Sequence, residues 1–224
     1  MSDLTLVIGN KNYSSWSMRP WVLMSQLGIE FDEVALKFNS SEWDAHIARW
    51  SPSRLVPVLW RGSQSVWDSL AIMEALHEWF PQKDVWPRDA EARAFARSAA
   101  AEMHSGFRDL RTHMPMNIRA SHPGKGQSAE VMANVRRIEH VWSEARRRFG
   151  SGGEFLFGEF CAADAMYAPV VMRFATYAVP LGNEAARYCA AMRSARGVRA
   201  WVESALQERE IVAEDEPYAS TPPA

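Results

Sequence analysis

An α/β first half followed by an all-helical second half is the fold class this sequence predicts, on three observations. Short β-branched runs alternate with helical stripes up to Phe80, a polar stretch with two prolines covers 81–91, and from Ala92 onward apolar residues recur at spacings of three and four. At 224 residues and 47% hydrophobic content the chain can bury a large core, as one large domain or two small ones.

Taken in order, Leu4 to Ile8 reads as a buried strand stopped by Gly9 and Asn10. From Trp16 to Leu27 a helix places Trp21, Met24 and Leu27 on one stripe, and Gly28 supplies its C-cap. Pro20 is tolerated where its missing N–H has no helical partner, which puts the start of that helix near Ser17. Phe31 to Leu36 forms a second strand and completes a βαβ unit with its parallel crossover. Residues 39–54 mix helix and loop. LVPVLW then forms a strand, with Pro57 at its start or on an edge, where a cis bond would suit a tight turn. Arg61 and Gly62 turn the chain into a brief strand at Ser65 to Trp67, and Asp68 and Ser69 open a helix.

The stretches 90–114, 131–149 and 165–179 all carry helical periodicity, with a Pro- and Gly-containing loop at 116–130 between two of them. The expected organisation is a first domain over 1–81, a linker over 81–91, a helical domain over 92–210 and a flexible tail over 211–224.

A formal charge of −2 provides no bulk attraction for nucleic acid or an anionic membrane, so neither is expected as a partner. The N-terminus lacks a basic segment followed by an apolar run, and no apolar stretch is long enough to span a bilayer. Cys161 and Cys189 are too few for a CxxC motif or a thiolate zinc site, and the six histidines show neither HExxH nor HxH spacing. A reducing, cytoplasmic setting and no metal are the resulting expectations.

Three short segments are candidates for chemistry. Ser14 and Ser15, in NYSSWSMRP, lie at a strand-to-helix junction, where serines cap and where free N–H groups and the helix dipole attract an anion; the two roles are compatible. Asp68 and Ser69 are either a cap alone or a site for a zwitterion, the carboxylate taking an ammonium while the hydroxyl and neighbouring N–H groups take a carboxylate. Val56 and Pro57 form either a rigid turn or an outward-facing edge that pairs with an extended, peptide-like ligand.

In this order and context, Ser14 and Ser15 in NYSSWS, Val56 and Pro57 in RLVPVL, and Asp68 and Ser69 in VWDSLAIMEAL resemble the motifs of the glutathione S-transferase superfamily. FLFGEFCAADAMYAPVVMRF resembles that family's second-domain capping motif, with Asp164 supporting the start of a buried helix. The resemblance covers roughly residues 4–210 and implies a thioredoxin-like first domain and a homodimer. It implies glutathione as co-substrate, its γ-glutamyl end at Asp68 and Ser69, its cysteinyl backbone on Val56 and its sulfur at Ser15 or Ser14. Arg54 is either a ligand for the glycyl carboxylate or peptide backbone, or a solvated loop charge.

The implied reaction is thiolate attack on a small electrophile or a hydroperoxide. Two alternatives are a non-catalytic scaffold and a glutathione-dependent isomerase of the maleylacetoacetate type. Met103, His104, Phe107 and Arg111, at helical spacing, either line the electrophile pocket or form an interdomain stripe. The sequence departs from the family pattern at two places. Cys161 stands where the capping motif has Ser or Thr, at a cost of roughly 1 kcal/mol. SSWS resembles the zeta-class SSCS with Trp16 for the cysteine, and Thr176 replaces that class's carboxylate-binding arginine; Arg173 is the nearby substitute.

Overall fold

The computed structural model describes residues 2–219. The first half runs β1 (Leu4–Ile8), α1 (Ser15–Leu27), β2 (Asp32–Ala35), α2 (Ser41–Trp50), β3 (Val58–Arg61), β4 (Gln64–Trp67) and α3 (Ser69–Trp79). Its four strands form one mixed sheet in the order β2-β1-β3-β4, with β1 parallel to β2 and the other pairs antiparallel. The Val56–Pro57 peptide is cis and precedes β3, so the proline removes no ladder donor.

Alternation along β1 divides the core. Leu4, Leu6 and Ile8 face the large core shared with α1, α3 and the helical half, whereas Val7 joins Leu36, Ile47 and Val58 under α2. α1 continues across Pro20 and begins earlier than expected: its N-cap is Ser14 rather than Ser17, and the Met18 N–H closes the first turn on the Ser14 C=O at 3.1 Å. Only one intrahelical bond is lost at Pro20, which packing of a fully buried helix face outweighs. Gly28 has the left-handed C-cap conformation, φ 64°.

The second half contains α4 (Ala90–Ser105), α5 (Arg108–His113), α6 (Ala129–Phe149), α7 (Ala162–Thr176), α8 (Asn183–Ser194) and α9 (Arg196–Ala205). α7 is buried almost throughout and packs on α1 and α4, so the two halves share one core. α9 also closes on α1: a Cβ at Gly197 would stand 2.6 Å from the Val22 C=O, so only glycine permits this approach. The 80–89 connection is pinned by buried Val85 and Trp86, and the Val85 C=O accepts from Ala162 N–H at 2.7 Å.

The C-terminal segment departs from the expected flexible tail as far as Ala219; Ser220 to Ala224 lie outside the described residues. It carries a short 3-10 turn, Ala213–Asp215, and Glu216 accepts from the Tyr13 hydroxyl at 2.7 Å. Tyr218 donates to the His113 C=O at 2.8 Å. Among the described residues no helix is long and apolar enough to cross a membrane.

Candidate functional site

The loop from β1 to α1 is built by asparagines. The Asn10 C=O accepts from Ser14 N–H (2.8 Å) and Tyr13 N–H (3.2 Å), while the buried Asn12 side chain donates to Asn117 (2.8 Å) and accepts from Arg119 N–H (2.9 Å). Glu208, just beyond α9, accepts from Lys11 N–H and Asn12 N–H, each at 2.9 Å. These bonds hold the two serines at the positive end of a 13-residue helix.

There the two hydroxyls differ. Ser14 Oγ donates to Ser17 Oγ at 2.7 Å and accepts from Ser17 N–H at 3.4 Å, so its donor is used within the cap. Ser17 Oγ in turn accepts from Gly9 N–H at 3.1 Å. Ser15, 6% exposed, has no hydrogen-bond partner for its hydroxyl among the described residues, and it lines a cavity.

Two cavities lie side by side and share Trp16, Leu55 and Val56. One, of about 460 Å³, is lined by Pro57, Trp67, Asp68 and Ser69; the other, of about 430 Å³, by Ser14, Ser15, Phe38, Trp43, Arg111 and Arg173 among others. The Val56 N–H and C=O pair with no backbone group among the described residues. All three sequence motifs therefore meet on one continuous surface. Arg54 is exposed on the loop between the cavity residues Ser53 and Leu55, at φ 58°.

Asp68 caps α3, its Oδ1 accepting from Leu70 N–H at 2.8 Å and Ala71 N–H at 3.4 Å. Its Oδ2 is 3.3 Å from His104 Nε2, a contact between the two halves of the chain. Ser69 is fully buried and accepts from Arg19 Nη1 at 3.1 Å, which leaves its own O–H for another acceptor.

Of the proposed pocket stripe, the structure brings only Arg111 into the cavity wall beside Ser15. The reason is a break: α4 ends at Gly106, and Phe107 at φ 57° starts α5, so the four residues do not share one helix face. Met103 lies in the core, Phe107 is buried, and His104 turns to Asp68. Arg111 donates to the Gly106 and His104 carbonyls at 3.0 Å each and also to the Met103 carbonyl.

Arginines dominate the electrostatics. The Arg19 and Arg111 guanidiniums lie 4.2 and 5.0 Å from the Trp16 ring centroid. Arg19 is buried, with Nε and Nη2 unpartnered among the described residues; burial first, then repulsion from Arg111 and Arg173, pulls its pKa well down, against the attraction of Asp68. Burial, then Arg111, brings Arg173 down to about 10. Asp215, from the C-terminal segment, lines the same cavity and is held up to about 6 by burial, while Arg173 pulls the other way. Burial also lowers His104, with Asp68 opposing and Arg19 and Arg111 adding to the fall.

Sequence reasoning missed Arg19, Phe38, Trp43 and Asp215. Arg19 had a signal, a single charge inside the apolar run 18–24. Asp215 had none, because its role depends on where the terminal segment docks.

A family model described as "Glutathione S-transferase, N-terminal domain" matches residues 13–79. A wheat (Triticum aestivum) glutathione S-transferase is 23% identical over 162 residues, 70% of this chain and 75% of that protein. A Drosophila melanogaster protein described as a probable maleylacetoacetate isomerase 2 is also 23% identical, over 74% of this chain and 75% of its own. Among solved structures, a Burkholderia glutathione transferase homolog with bound glutathione superposes with a TM-score of 0.62 at 23% identity, over 90% of this chain and 97% of that one. The theta-class enzyme of Xanthomonas axonopodis pv. citri, with glutathione bound, gives 0.67 at 20%, over 92% and 100%. The segment that carries all three motifs thus matches a glutathione S-transferase N-terminal domain, and the chain as a whole shares the fold of these solved structures.

Proposed function

We propose that this protein is a glutathione transferase of the serine type, with glutathione extended from Asp68 and Ser69 past Val56 to a thiol at Ser15. The observation that carries this reading is the Ser15 hydroxyl at the start of α1, unpartnered among the described residues, in a cavity that shares Val56 and Trp16 with the one beneath Asp68. Solved neighbours with glutathione bound support the ligand. Ser15 is preferred to Ser14 because the Ser14 proton is already donated to Ser17. Asp68 receives the ligand's ammonium and the start of α3 its carboxylate, while Arg54 stands near enough in sequence to serve the glycyl end.

A serine hydroxyl is too weak a base to hold the thiol proton, so its role is to donate to the thiolate. Lowering a thiol pKa from about 8.5 by about 2 units takes roughly 2.7 kcal/mol of preference for the anion. One charge-assisted hydrogen bond supplies about 1.5 to 3 kcal/mol, and a helix terminus about 0.3 to 1. The nucleophile then belongs to the bound peptide, and the protein orients and stabilises it. Attack on carbon gives a conjugate, attack on a hydroperoxide gives reduction, and addition followed by elimination gives isomerisation; product analysis separates them. The proposal includes a domain boundary within 81–91, a cytoplasmic setting and a twofold homodimer, the last checked by sedimentation.

The test is a glutathione titration followed by tryptophan fluorescence on wild type and Ser15→Ala, beside an assay with a generic aryl halide. Saturable binding in both, with turnover lost in the variant, supports the reading. Binding without turnover in the wild type points to the non-catalytic scaffold, and absence of binding sinks the enzyme.

A further inference from the structure

At the far end of the site from Ser15, a titratable group from the helical half touches the carboxylate of the first half. Asp68 commits Oδ1 to the start of α3, where it accepts from Leu70 N–H at 2.8 Å and Ala71 N–H at 3.4 Å, so Oδ2 faces outward from the cap. That oxygen lies 3.3 Å from Nε2 of His104, on α4. A carboxylate only accepts, so in the neutral imidazole the proton sits on Nε2 and donates to Oδ2. Nδ1 is buried with no partner among the described residues, and a second proton there would find no acceptor. The imidazole stands perpendicular to the Trp16 ring, centroids 5.2 Å apart, and the guanidiniums of Arg19 and Arg111 lie against that same ring. The charges around His104 are therefore one anion, Asp68 from α3, and two cations, Arg19 from α1 and Arg111 from α5. Burial first, with the two arginines, outweighs Asp68 and holds the imidazole below its ordinary 6.5.

We infer that His104 is a positioning residue for Asp68 and makes recognition of the ligand's ammonium pH-dependent: neutral, it orients Oδ2 for the ammonium; protonated, it takes the ammonium's place as counter-ion. One carboxylate oxygen has lone pairs enough to accept from a neutral N–H and an ammonium together. Its single charge does not neutralise two cations, so an ammonium arriving beside an imidazolium is repelled by it. The coupling is reciprocal. Protonation of His104 weakens the ligand by the same factor by which the ligand weakens the hold of His104 on its proton, and that proton is exchanged with solvent. The inference rests on the glutathione reading above, in which Asp68 receives the γ-glutamyl ammonium.

The experiment measures, by calorimetry at several pH values from about 5 to about 7.5, the affinity of glutathione and of glutaryl-cysteinylglycine, which lacks only the ammonium. Ionisation of the thiol enters both peptides alike, as does titration of Asp215, held up to about 6 in the neighbouring cavity, so both cancel in the ratio of affinities. Wild type is expected to prefer glutathione at neutral pH and to lose about three- to tenfold of that preference on acidification, the fall setting in below 6.5. In His104→Gln, which offers an N–H to Oδ2 but does not titrate, the preference stays level with pH. Should that variant fail to fold, wild type alone decides: the His104 titration followed by NMR should move to lower pH on saturation with glutathione and stay in place with the desamino peptide. A wild-type preference that is absent or level with pH overturns the inference, as does a slope that survives in folded His104→Gln or a His104 titration that glutathione does not move. Each of these leaves the transferase reading standing so long as glutathione binds at neutral pH. Absence of glutathione binding at every pH overturns both.

Discussion

The two ends of α7 treat a buried charge in opposite ways. At its start, Asp164 is fully buried and saturated: Oδ1 accepts from Leu156 N–H (3.1 Å) and the Tyr188 hydroxyl (2.9 Å), and Oδ2 from Cys161 N–H (2.9 Å). Near its end, Arg173 has, among the described residues, one hydrogen bond and a buried Nη1 without an acceptor. A saturated buried charge ties segments together and serves the fold, whereas an unsaturated one is tolerated where a ligand completes it. The start of α1 repeats the contrast, with the Ser14 hydroxyl bonded to Ser17 and the Ser15 hydroxyl without a partner among the described residues.

The sharpest way to break this comparison is Asp164→Ala. It strands three buried donors, and chemical denaturation should show a loss of about 3 to 5 kcal/mol. A loss below about 1 kcal/mol would mean that the saturated end is not what holds α7 to its neighbours. The same carboxyl sets a pH dependence. Burial holds it up from 3.8 to about 6 despite its three donors, so between those values the folded state keeps a proton that the unfolded chain has released. Stability should therefore fall as pH rises from about 4 to about 6, as the handling of bound protons requires. Asp164→Asn should lose that slope apart from the share of Asp215, whose carboxyl is held up to about 6 as well.

At the start of α1 the contrast becomes kinetic. Ser15→Ala should lower kcat/KM by about 10- to 100-fold, the value of one bond to an anion, with stability changed by less than about 0.5 kcal/mol. Ser14→Ala should do the reverse, losing about 1 kcal/mol of stability with the loss of its cap. Equal kinetic losses in the two variants would remove the distinction between them. The smallest effect is expected at the unsaturated end: Arg173→Met fills the same space without an orphan donor, and its stability should differ from wild type by less than about 1 kcal/mol.

Much of the fold was legible because its signals are local. The alternation in LTLVI, the Gly28 cap and the proline ahead of β3 each constrain only a few neighbouring residues, and the element order through α3 follows from them. The helical second half was legible for the same reason. Its subdivision was not, because the break at Gly106 and Phe107 interrupts a periodicity that continues in the letters across 90–114. That is why Met103, His104, Phe107 and Arg111 looked like one face. The start of α1 was misplaced by the opposite error, a local rule for Pro20 that burial of the helix overrode.

The sequence by itself determined the two-part architecture and the order of the three candidate motifs, since periodicity, caps and turn residues act over a few positions. Only the tertiary structure decided which serine keeps a free hydroxyl, that His104 reaches Asp68 from the other half, and that Arg173 and Asp215 face one cavity. The Ser14–Ser17 bond is local but its direction is not written in the letters, whereas Asp68 and His104, and Arg173 and Asp215, lie tens of residues apart, and such meetings are set by how α7, the α4–α5 break and the C-terminal segment pack around α1, which no local pattern encodes.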